Sequence, residues 1–351
     1  MTDFICEKPL WEHLKESDKP ILLYGMGNGA DMIIDVLQQT GIDYADTFAS
    51  DGFVRGHSFH GKRVLSFSEA KEKYDDFIIL LTFAIHDRPT LDKIKEMAQR
   101  YELYSPTVPV AGKGLFTMDY LKENAEAFRG AYDMLCDEKS KKAFTDVLNF
   151  KISGKVDYLF DCESEKDEVY CDILKLSENE TIVDLGAYDG DTIREFLAAT
   201  DGRYRKIYAF EPDEKNFRKL TRKTEVLEGL SLFNLGAWDK KEVQLFDTKG
   251  GRNSRQELTG KEVSFDSVDN VISDEVTFIK MDIEGAELKA LEGARKTVSA
   301  YRPKLYVCAY HRNEDMFMLP FKIKELYEGY KIYFRHHPYI PAWESNFYAV
   351  P

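Results

Sequence analysis

Cysteine is scarce in this sequence, and its spacing matches no covalent or metal-bound framework. The 351 residues contain only five cysteines, and no two of them have CxxC spacing: Cys6, Cys136, Cys162, Cys171 and Cys308. An odd number without paired spacing disfavours both a disulfide scaffold and a zinc ribbon. Reduced thiols of a cytosolic protein are the expected state.

Long apolar runs and basic clusters are also missing. The first residues, MTDFICEKPLWEHLKES, include no apolar stretch of signal-peptide length, and no later run reaches the roughly 18 apolar residues of a membrane span. The net charge is −14 and no long Lys/Arg run occurs, which argues against a nucleic-acid backbone as the partner. We therefore expect a cytoplasmic protein with neither a membrane span nor a nucleic-acid partner.

The composition is that of an ordinary soluble globular protein. Hydrophobic residues make up 43% of the chain and charged residues 31%. A length of 351 residues is enough for about two domains, each with its own buried core.

A strand, a glycine-containing turn and a helix are predicted in succession at residues 181–196, TIVDLGAYDGDTIREF. The turn holds Gly186 and Gly190, and the helix begins at Asp191 and Thr192. This order is the first half of a nucleotide-binding βαβ unit.

The acidity of this turn indicates which ligand it would take. A dinucleotide diphosphate needs bare N–H groups and a positive helix end, and it would be repelled by Asp184, Asp189 and Asp191. These carboxylates would suit a cationic ligand. S-adenosylmethionine, which joins an adenosine to a sulfonium and an ammonium, is therefore the expected cofactor.

The next apolar strand, IYAFE at 207–211, ends in an acid. Glu211 lies 21 residues after Gly190, the position from which a carboxylate binds both ribose hydroxyls. The plain alternative is a pair of parallel strands with an exposed acid at the end.

Four motifs in order carry a family resemblance. They are VDLGAYDGDT, AFEP, FIKMDIEGAELKALEGA and PKLYVCAYH, the last at 303–311. From about residue 167 to 348 the chain resembles the FkbM family of methyltransferases. The resemblance implies a class I methyltransferase fold that binds S-adenosylmethionine and usually methylates a hydroxyl oxygen. The cofactor contacts expected on these motifs are Asp184, Gly186, Ala187, Gly190, Asp191, Thr192, Glu211 and Asp282.

A second strand, turn and helix lie near the amino terminus. Residues 21–24 are apolar, and the following GMGNGA fits a G-x-G-x-x-A fingerprint with Gly25, Gly27 and Ala30. Asp51 follows the next strand, where a ribose-binding acid would lie. The region resembles the small Rossmann domains of some sugar-modifying enzymes of bacterial polysaccharide synthesis. It would bind a nucleotide or nucleotide sugar, or else serve as a scaffold or a homo-oligomer contact.

The expected fold class is α/β. A small Rossmann-like domain at 1–110 would be followed by a helical connector at 111–166 and by a class I methyltransferase domain at 167–351. We predict seven strands in that last domain, at 181–185, 207–211, 231–235, 276–281, 304–310, 330–335 and 346–350. The polar, glycine-containing segment 249–262 is predicted to be a flexible loop or hairpin.

Asp282 and His311 are the catalytic candidates, because they close the fourth and fifth strands of that sheet. The strands are neighbours, so both side chains would face one small volume. We expect His311 to be the general base for an acceptor hydroxyl, since histidine has a near-neutral pKa. Asp282 would orient it, position the acceptor or hold the methionine ammonium. Alternatively, both residues are structural, or together with Glu284 they bind a divalent cation that acidifies the hydroxyl.

Aromatic and histidine residues follow the sixth strand. His336 and His337, with Tyr339 and Trp343, would either form a sugar-stacking wall or pack the last hairpin. Trp238, after the third strand, would lie near the adenine ring or close the core.

The sequence thus predicts an S-adenosylmethionine-dependent O-methyltransferase. Its acceptor is expected to be a sugar hydroxyl on a nucleotide sugar or glycan precursor. One alternative is an NAD-dependent oxidoreductase that uses the glycine loop at 25–30. The other is a non-catalytic subunit that binds sugar nucleotides.

Overall fold

The structure is a computed structural model that describes residues 5, 7–54, 56–109, 111–112, 114–246 and 261–351. It contains two parallel-stranded α/β units joined by helices, which confirms the expected fold class. Among the described residues, no helix is both long enough and apolar enough to cross a membrane.

The first unit is a parallel sheet of five strands. Its strands are β1 (Ile21–Tyr24), β2 (Asp46–Ala49), β5 (Leu65–Ser66), β6 (Ile78–Leu81) and β7 (Glu102–Tyr104), and a separate hairpin holds β3 (Ser58–Phe59) and β4 (Lys62–Arg63). The order β5-β2-β1-β6-β7 places the switch in direction between β1 and β6. The helices are α1 (Leu10–Glu16), α2 (Asn28–Thr40), α3 (Phe67–Lys73) and α4 (Arg88–Ala98).

Helices fill the connector, as predicted. They are α5 (Met118–Glu123), α6 (Ala125–Asp133), α7 (Glu138–Ser153), α8 (Asp157–Asp161) and α9 (Lys166–Glu168), and a π-helical turn follows at Val169–Ile173. The longest of them, α7, begins at Asp137, whose carboxylate accepts a hydrogen bond from Ser140 N, and ends at Gly154 in the left-handed conformation.

The second unit is a sheet of seven strands. They are β8 (Thr181–Leu185), β9 (Lys206–Phe210), β10 (Leu230–Phe233), β14 (Phe278–Met281), β15 (Lys304–Cys308), β16 (Lys331–His336) and β17 (Ser345–Val350). The order is β10-β9-β8-β14-β15-β17-β16, with only β17 antiparallel to its neighbours. The helices are α10 (Asp191–Ala199), α11 (Glu214–Thr224), α12 (Val268–Val271), α13 (Glu287–Gly293), α14 (Arg295–Tyr301) and α15 (Asp315–Leu326).

The chain segment that connects β10 to β14 forms a separate small sheet, which was not predicted from the sequence pattern. It contains β11 (Gly236–Ala237), β12 (Glu242–Phe246) and β13 (Lys261–Asp266), and β12 pairs antiparallel with β13. Of the predicted loop or hairpin at 249–262, residues 249–260 lie outside the described residues. Lys261 and Glu262 belong to β13.

One apolar core runs through all three parts of the chain. Its fully buried members include Leu22 of the first sheet, Phe128 of the connector, and Val183 and Phe334 of the second sheet. Backbone pairing joins the two units directly, because Ile85 N donates to Ile340 O at 2.8 Å and Ile340 N to Ile85 O at 2.9 Å. The expected boundaries at residues 110 and 166 stay a prediction.

Candidate active site

The topology of the second sheet defines where a ligand would bind. The chain leaves β8 toward β9 on one side and later returns to β14 on the other side. In open α/β sheets the ligand crevice lies outside the carboxyl ends of the strands at such a switch point. The turns that follow β8, β9, β14 and β15 therefore surround the candidate site.

The turn after β8 requires glycine at residue 186. Gly186 has φ +81°, and a Cβ placed there would lie 1.9 Å from the carbonyl oxygen of Asp282. Gly190, with φ +86°, precedes the first residue of α10. The amides of Gly186 and Ala187 both donate to Phe210 O, at 3.0 and 2.9 Å, so the turn is fixed to the end of β9.

Asp184 does not face the crevice as a free acid. Its side chain is fully buried and lies 3.3 Å from Nζ of Lys280, which is itself buried in β14. Burial raises the pKa of Asp184 to about 6, although Lys280 acts to lower it. Lys280 also donates a hydrogen bond to Gly186 O at 3.1 Å, so the lysine connects Asp184 to the backbone of the glycine turn.

The other two acids of the turn, Asp189 and Asp191, were also expected to attract a cationic ligand, but both already have partners within the protein. Asp189 forms ion pairs with Lys223 at 2.5 Å and Arg194 at 3.6 Å. Asp191 is exposed, and its Oδ1 accepts from Thr192 N at 2.9 Å at the start of α10. Electrostatic attraction by this turn is therefore not a sound reason for the choice of cofactor, because intramolecular cations already balance Asp184 and Asp189.

Glu211, in contrast, keeps unused hydrogen-bonding capacity on both carboxylate oxygens. It follows β9, and its two carboxylate oxygens accept from Tyr188 N at 2.9 Å and Asp213 N at 2.8 Å. Each oxygen keeps a further lone pair for a hydroxyl donor. Burial raises the pKa of Glu211 to about 7, although both backbone donors act to lower it.

Asp282 and His311 lie together, as their strand-end positions predicted. Nε2 of His311 is 3.4 Å from Oδ1 of Asp282 and 3.6 Å from a carboxylate oxygen of Glu284. The Tyr310 hydroxyl donates to Oδ1 of Asp282 at 2.9 Å. Glu284 has φ +54°, an uncommon backbone conformation for a residue other than glycine that is often found at functional sites.

The other nitrogen of His311 faces a buried acid from α13. Nδ1 lies 3.0 Å from Glu287 Oε1, and both side chains are almost completely buried. Burial acts to lower the pKa of His311, but Glu287, then Asp282 and Glu284, outweigh it and raise the pKa to about 10. The surroundings of His311 therefore favour the imidazolium, and its pKa is raised above the near-neutral value expected from the sequence.

Asp282 remains ionised in this cluster. Burial acts to raise its pKa, but Lys280, His311 and the Tyr310 hydroxyl together lower it. The metal alternative has no geometric support. Among the described residues, no three or more His, Cys, Asp or Glu side chains are arranged to hold a metal ion.

A pocket opens beside Tyr310 and His311, and helix α7 lines it on the connector side. Phe150 and Lys151 of α7 and Trp343, which follows the turn after β16, contribute to its wall together with segment 106–109. The pocket encloses about 40 Å³, or about 440 Å³ when the open space at its mouth is included, so a ligand the size of a sugar would lie mainly in the mouth. Trp343 thus lies at the pocket, and its role as a sugar-stacking residue stays a prediction.

His336 and His337 are not part of that wall, because both are buried in the hairpin. Nδ1 of His337 donates to Ser164 O at 2.7 Å, and Nε2 accepts from the Tyr348 hydroxyl at 2.6 Å. Burial lowers the pKa of His336 to about 3 and that of His337 to about 4. Trp238 packs edge-on against Phe265 of the small sheet, with ring centroids 5.7 Å apart.

The acid predicted for the amino-terminal glycine loop, Asp51, is already hydrogen-bonded within the protein. Gly25 and Gly27 have φ +113° and +124°, and α2 begins at Asn28, as the fingerprint predicted. The Asp51 carboxylate, however, accepts from Ser68 N at 3.1 Å and from the Ser68 hydroxyl at 2.9 Å. Asp51 therefore stabilises the start of α3.

Comparison with known families assigns the second unit. Residues 184–337 match the family model described as the methyltransferase FkbM domain. This part of the chain, called the FkbM domain below, is similar to that family. Its cofactor class is S-adenosylmethionine, and the chain is a methyltransferase, as the four motifs predicted. No curated protein sequence matches the chain.

One solved structure shares the fold of nearly the whole chain, and others match about half of it. The methyltransferase FkbM from Methylobacillus flagellatus KT is 23% identical, with a TM-score of 0.75 over 97% of this chain and 92% of that chain. The Aeropyrum pernix fibrillarin, in complex with natively bound S-adenosyl-L-methionine, is 12% identical, with a TM-score of 0.35 over 53% of this chain and 73% of that chain. An rRNA methylase from Streptococcus thermophilus is 15% identical, with a TM-score of 0.33 over 52% and 91%.

Three residues of this site were not singled out from the sequence. Lys280 forms an ion pair with Asp184, and Glu287 stabilises the positive charge of His311. Lys151 lines the pocket. The only sequence signal was charge at positions where a strand or helix should be apolar, as in FIKM for Lys280.

Proposed function

We propose that the FkbM domain transfers a methyl group from S-adenosylmethionine to a hydroxyl of a sugar, in a nucleotide sugar or glycan precursor. The observation that carries this proposal is the Asp282, Tyr310 and His311 cluster at the edge of a pocket walled by Trp343. Ionised, hydrogen-bonding and aromatic groups converge there, as recognition of a sugar requires.

The residues after β8 and β9 fit the cofactor. Glu211 would accept hydrogen bonds from both ribose hydroxyls, because its oxygens are already oriented by two backbone donors. The Gly186 turn would lie beside the cofactor, with Ala187 fixed to β9. When bound, S-adenosylmethionine supplies an electrophilic methyl group.

His311 is the proposed general base, and Asp282 positions it. The acceptor oxygen forms its bond to the methyl carbon as the sulfur–carbon bond breaks, and its hydroxyl proton passes to Nε2 of His311. An imidazolium cannot accept that proton. The role therefore requires His311 to be neutral when the acceptor is bound, and the positive charge of the cofactor, close to Asp282, would favour that state by opposing the imidazolium charge.

Cofactor binding can be tested without knowing the acceptor. We expect calorimetric titration to show micromolar S-adenosylhomocysteine binding that Glu211→Ala weakens on the order of 10²-fold, because two hydrogen bonds to a carboxylate are lost. Asp189→Asn is the matched control, since Lys223 and Arg194 balance Asp189 within the same turn. No binding to the native chain would overturn the cofactor assignment.

Turnover is tested by release of S-adenosylhomocysteine from a panel of nucleotide sugars and free sugars. His311→Ala should lower turnover by roughly 10² to 10⁴-fold, the usual contribution of a general base, while cofactor affinity stays nearly native. Loss of cofactor binding in this variant would refute the assignment of His311. Firm cofactor binding without turnover on any sugar would favour the non-catalytic subunit.

A further inference from the structure

Lys151 is a largely buried lysine for which the described part of the chain provides no hydrogen-bond acceptor. It lies near the end of α7 with only 8% of its surface exposed. Among the described residues, Nζ of Lys151 donates no hydrogen bond, and no carboxylate oxygen lies within the 4.0 Å limit of an ion pair. Nζ of Lys151 lies 5.4 Å from the centroid of the Phe116 ring. An ammonium has three donors, which must be satisfied by water or by a ligand.

The burial of this charge is unfavourable for folding. Burial lowers the pKa of Lys151 to about 8, although Asp315 acts to raise it. In the described part of the chain, no carboxylate lies close enough to pair with the protonated form and offset this cost. A buried charge without a close partner destabilises a fold and is common where a ligand supplies the missing counter-charge.

The position of Lys151 identifies which ligand group would meet it. Lys151 lines the same pocket as Tyr310, His311 and Trp343. The connector, which contains Lys151, is also hydrogen-bonded to the proposed general base, because Ala111 N donates to His311 O at 3.0 Å. A molecule in this pocket would therefore contact both Lys151 and the proposed methyl-transfer residues.

We propose that Lys151 binds an oxyanion of the methyl acceptor, a phosphate or a carboxylate, so that the substrate class is an acidic sugar derivative. This inference depends on the proposed function only in taking the pocket as the acceptor site. The acceptor hydroxyl lies at His311, Trp343 packs against the sugar, and the anion lies at Lys151. The carboxylates near His311 exclude the anion from that end of the pocket, which fixes the direction of binding.

Phosphate itself is the first probe. Inorganic phosphate, compared with chloride at constant ionic strength, should raise the thermal unfolding midpoint of the native chain in complex with S-adenosylhomocysteine. The shift should disappear in Lys151→Gln and persist in Lys141→Gln, a matched lysine on the same helix outside the pocket. An equal shift in Lys151→Gln, or none in the native chain, would overturn the proposal.

A second variant separates ligand binding from folding. Without phosphate, Lys151→Gln should unfold at or above the native midpoint, because an unpaired buried charge is removed. Lys151→Arg should keep part of the phosphate shift. If both variants unfold well below the native chain and keep the full phosphate shift, Lys151 is structural and the proposal fails. If the proposed cofactor assignment is wrong, S-adenosylhomocysteine alone will not shift the thermal unfolding midpoint, so that outcome is distinguished from failure of the Lys151 proposal.

Matched sugars distinguish the source of the anion. Glucose 1-phosphate, glucuronate and neutral methyl glucoside are compared in the same assay. A Lys151-dependent shift with glucose 1-phosphate alone assigns a phosphate, and one with glucuronate alone assigns a carboxylate. Equal shifts with all three, the neutral sugar included, would refute recognition of an oxyanion.

Discussion

Asp184 and Glu211 show at the residue scale how partners decide the role of a buried acid. Asp184 is enclosed beside Lys280 and supports the glycine turn, whereas Glu211 receives two backbone hydrogen bonds and forms no ion pair with any described residue. Burial accordingly raises the pKa of both, to about 6 for Asp184 and about 7 for Glu211. Only Glu211 therefore combines the capacity to bind a diol with a titration near neutral pH.

This titration predicts how cofactor affinity depends on pH. Ribose hydroxyl donors favour the carboxylate over the neutral acid, so binding should lower the pKa of Glu211 from about 7. S-adenosylhomocysteine affinity should then rise with pH up to about 7 and level off above it, with up to a tenfold loss per pH unit below. Calorimetry between pH 5.5 and 8.5 measures this. Glu211→Gln should bind weakly and without that dependence, and an equal pH dependence in both proteins would contradict the role of Glu211.

At the scale of elements, α7 is held to the edge of the catalytic sheet by a buried arginine. Arg335 of β16 is paired with Asp137 through Nη2–Oδ2 at 2.7 Å and Nη1–Oδ1 at 3.2 Å, and with Glu168 at 3.2 Å. Asp137 also caps α7 through Ser140 N. One side chain thus fixes the helix that carries Lys151 against the hairpin.

Loss of this arginine should be costly. Arg335→Leu leaves Asp137 without its arginine partner and Glu168 with Lys139 alone. We expect the free energy of unfolding to fall by about 2–3 kcal/mol, since both acids keep partial access to water. Arg203→Leu, which removes the exposed ion pair with Glu178, is the control and should cost less than ~1 kcal/mol. Urea unfolding of both variants gives the comparison. Equal losses would mean that the Arg335 pairs add no more than a surface pair.

The longer strands could be predicted from the sequence, but the shortest ones could not. All seven strands of the catalytic sheet were found near their observed positions, because each is an apolar run between turn residues. Strands Leu65–Ser66 and Glu102–Tyr104 were missed, since two or three residues give no readable alternation. Asp282 and His311 were paired correctly from strand order. The high pKa of His311 was not foreseen because it depends on Glu287, which packs under the ring from a different element.

At the scale of the whole molecule, the apolar core does not divide where the sequence suggests domain boundaries. Residues of the amino-terminal sheet, such as Phe48, belong to the same buried cluster as Leu148 of α7 and Val183 of β8. Backbone hydrogen bonds also cross between the parts, including Ser105 N to Gly154 O at 2.8 Å. Separation of the parts would expose this shared apolar surface to water, which is unfavourable in proportion to its area.

We therefore expect the chain to unfold as one cooperative unit, although chains with two sheets often do not. Differential scanning calorimetry should show a single transition, and S-adenosylhomocysteine should move all of it upward, because a ligand stabilises every part that unfolds together with its site. Glu211→Ala is the control and should show the transition without the shift. Two transitions, of which the ligand moves only one, would show that the amino-terminal sheet is stable independently of the catalytic site. In that case the contacts of segment 106–109 with the pocket would add nothing to its stability.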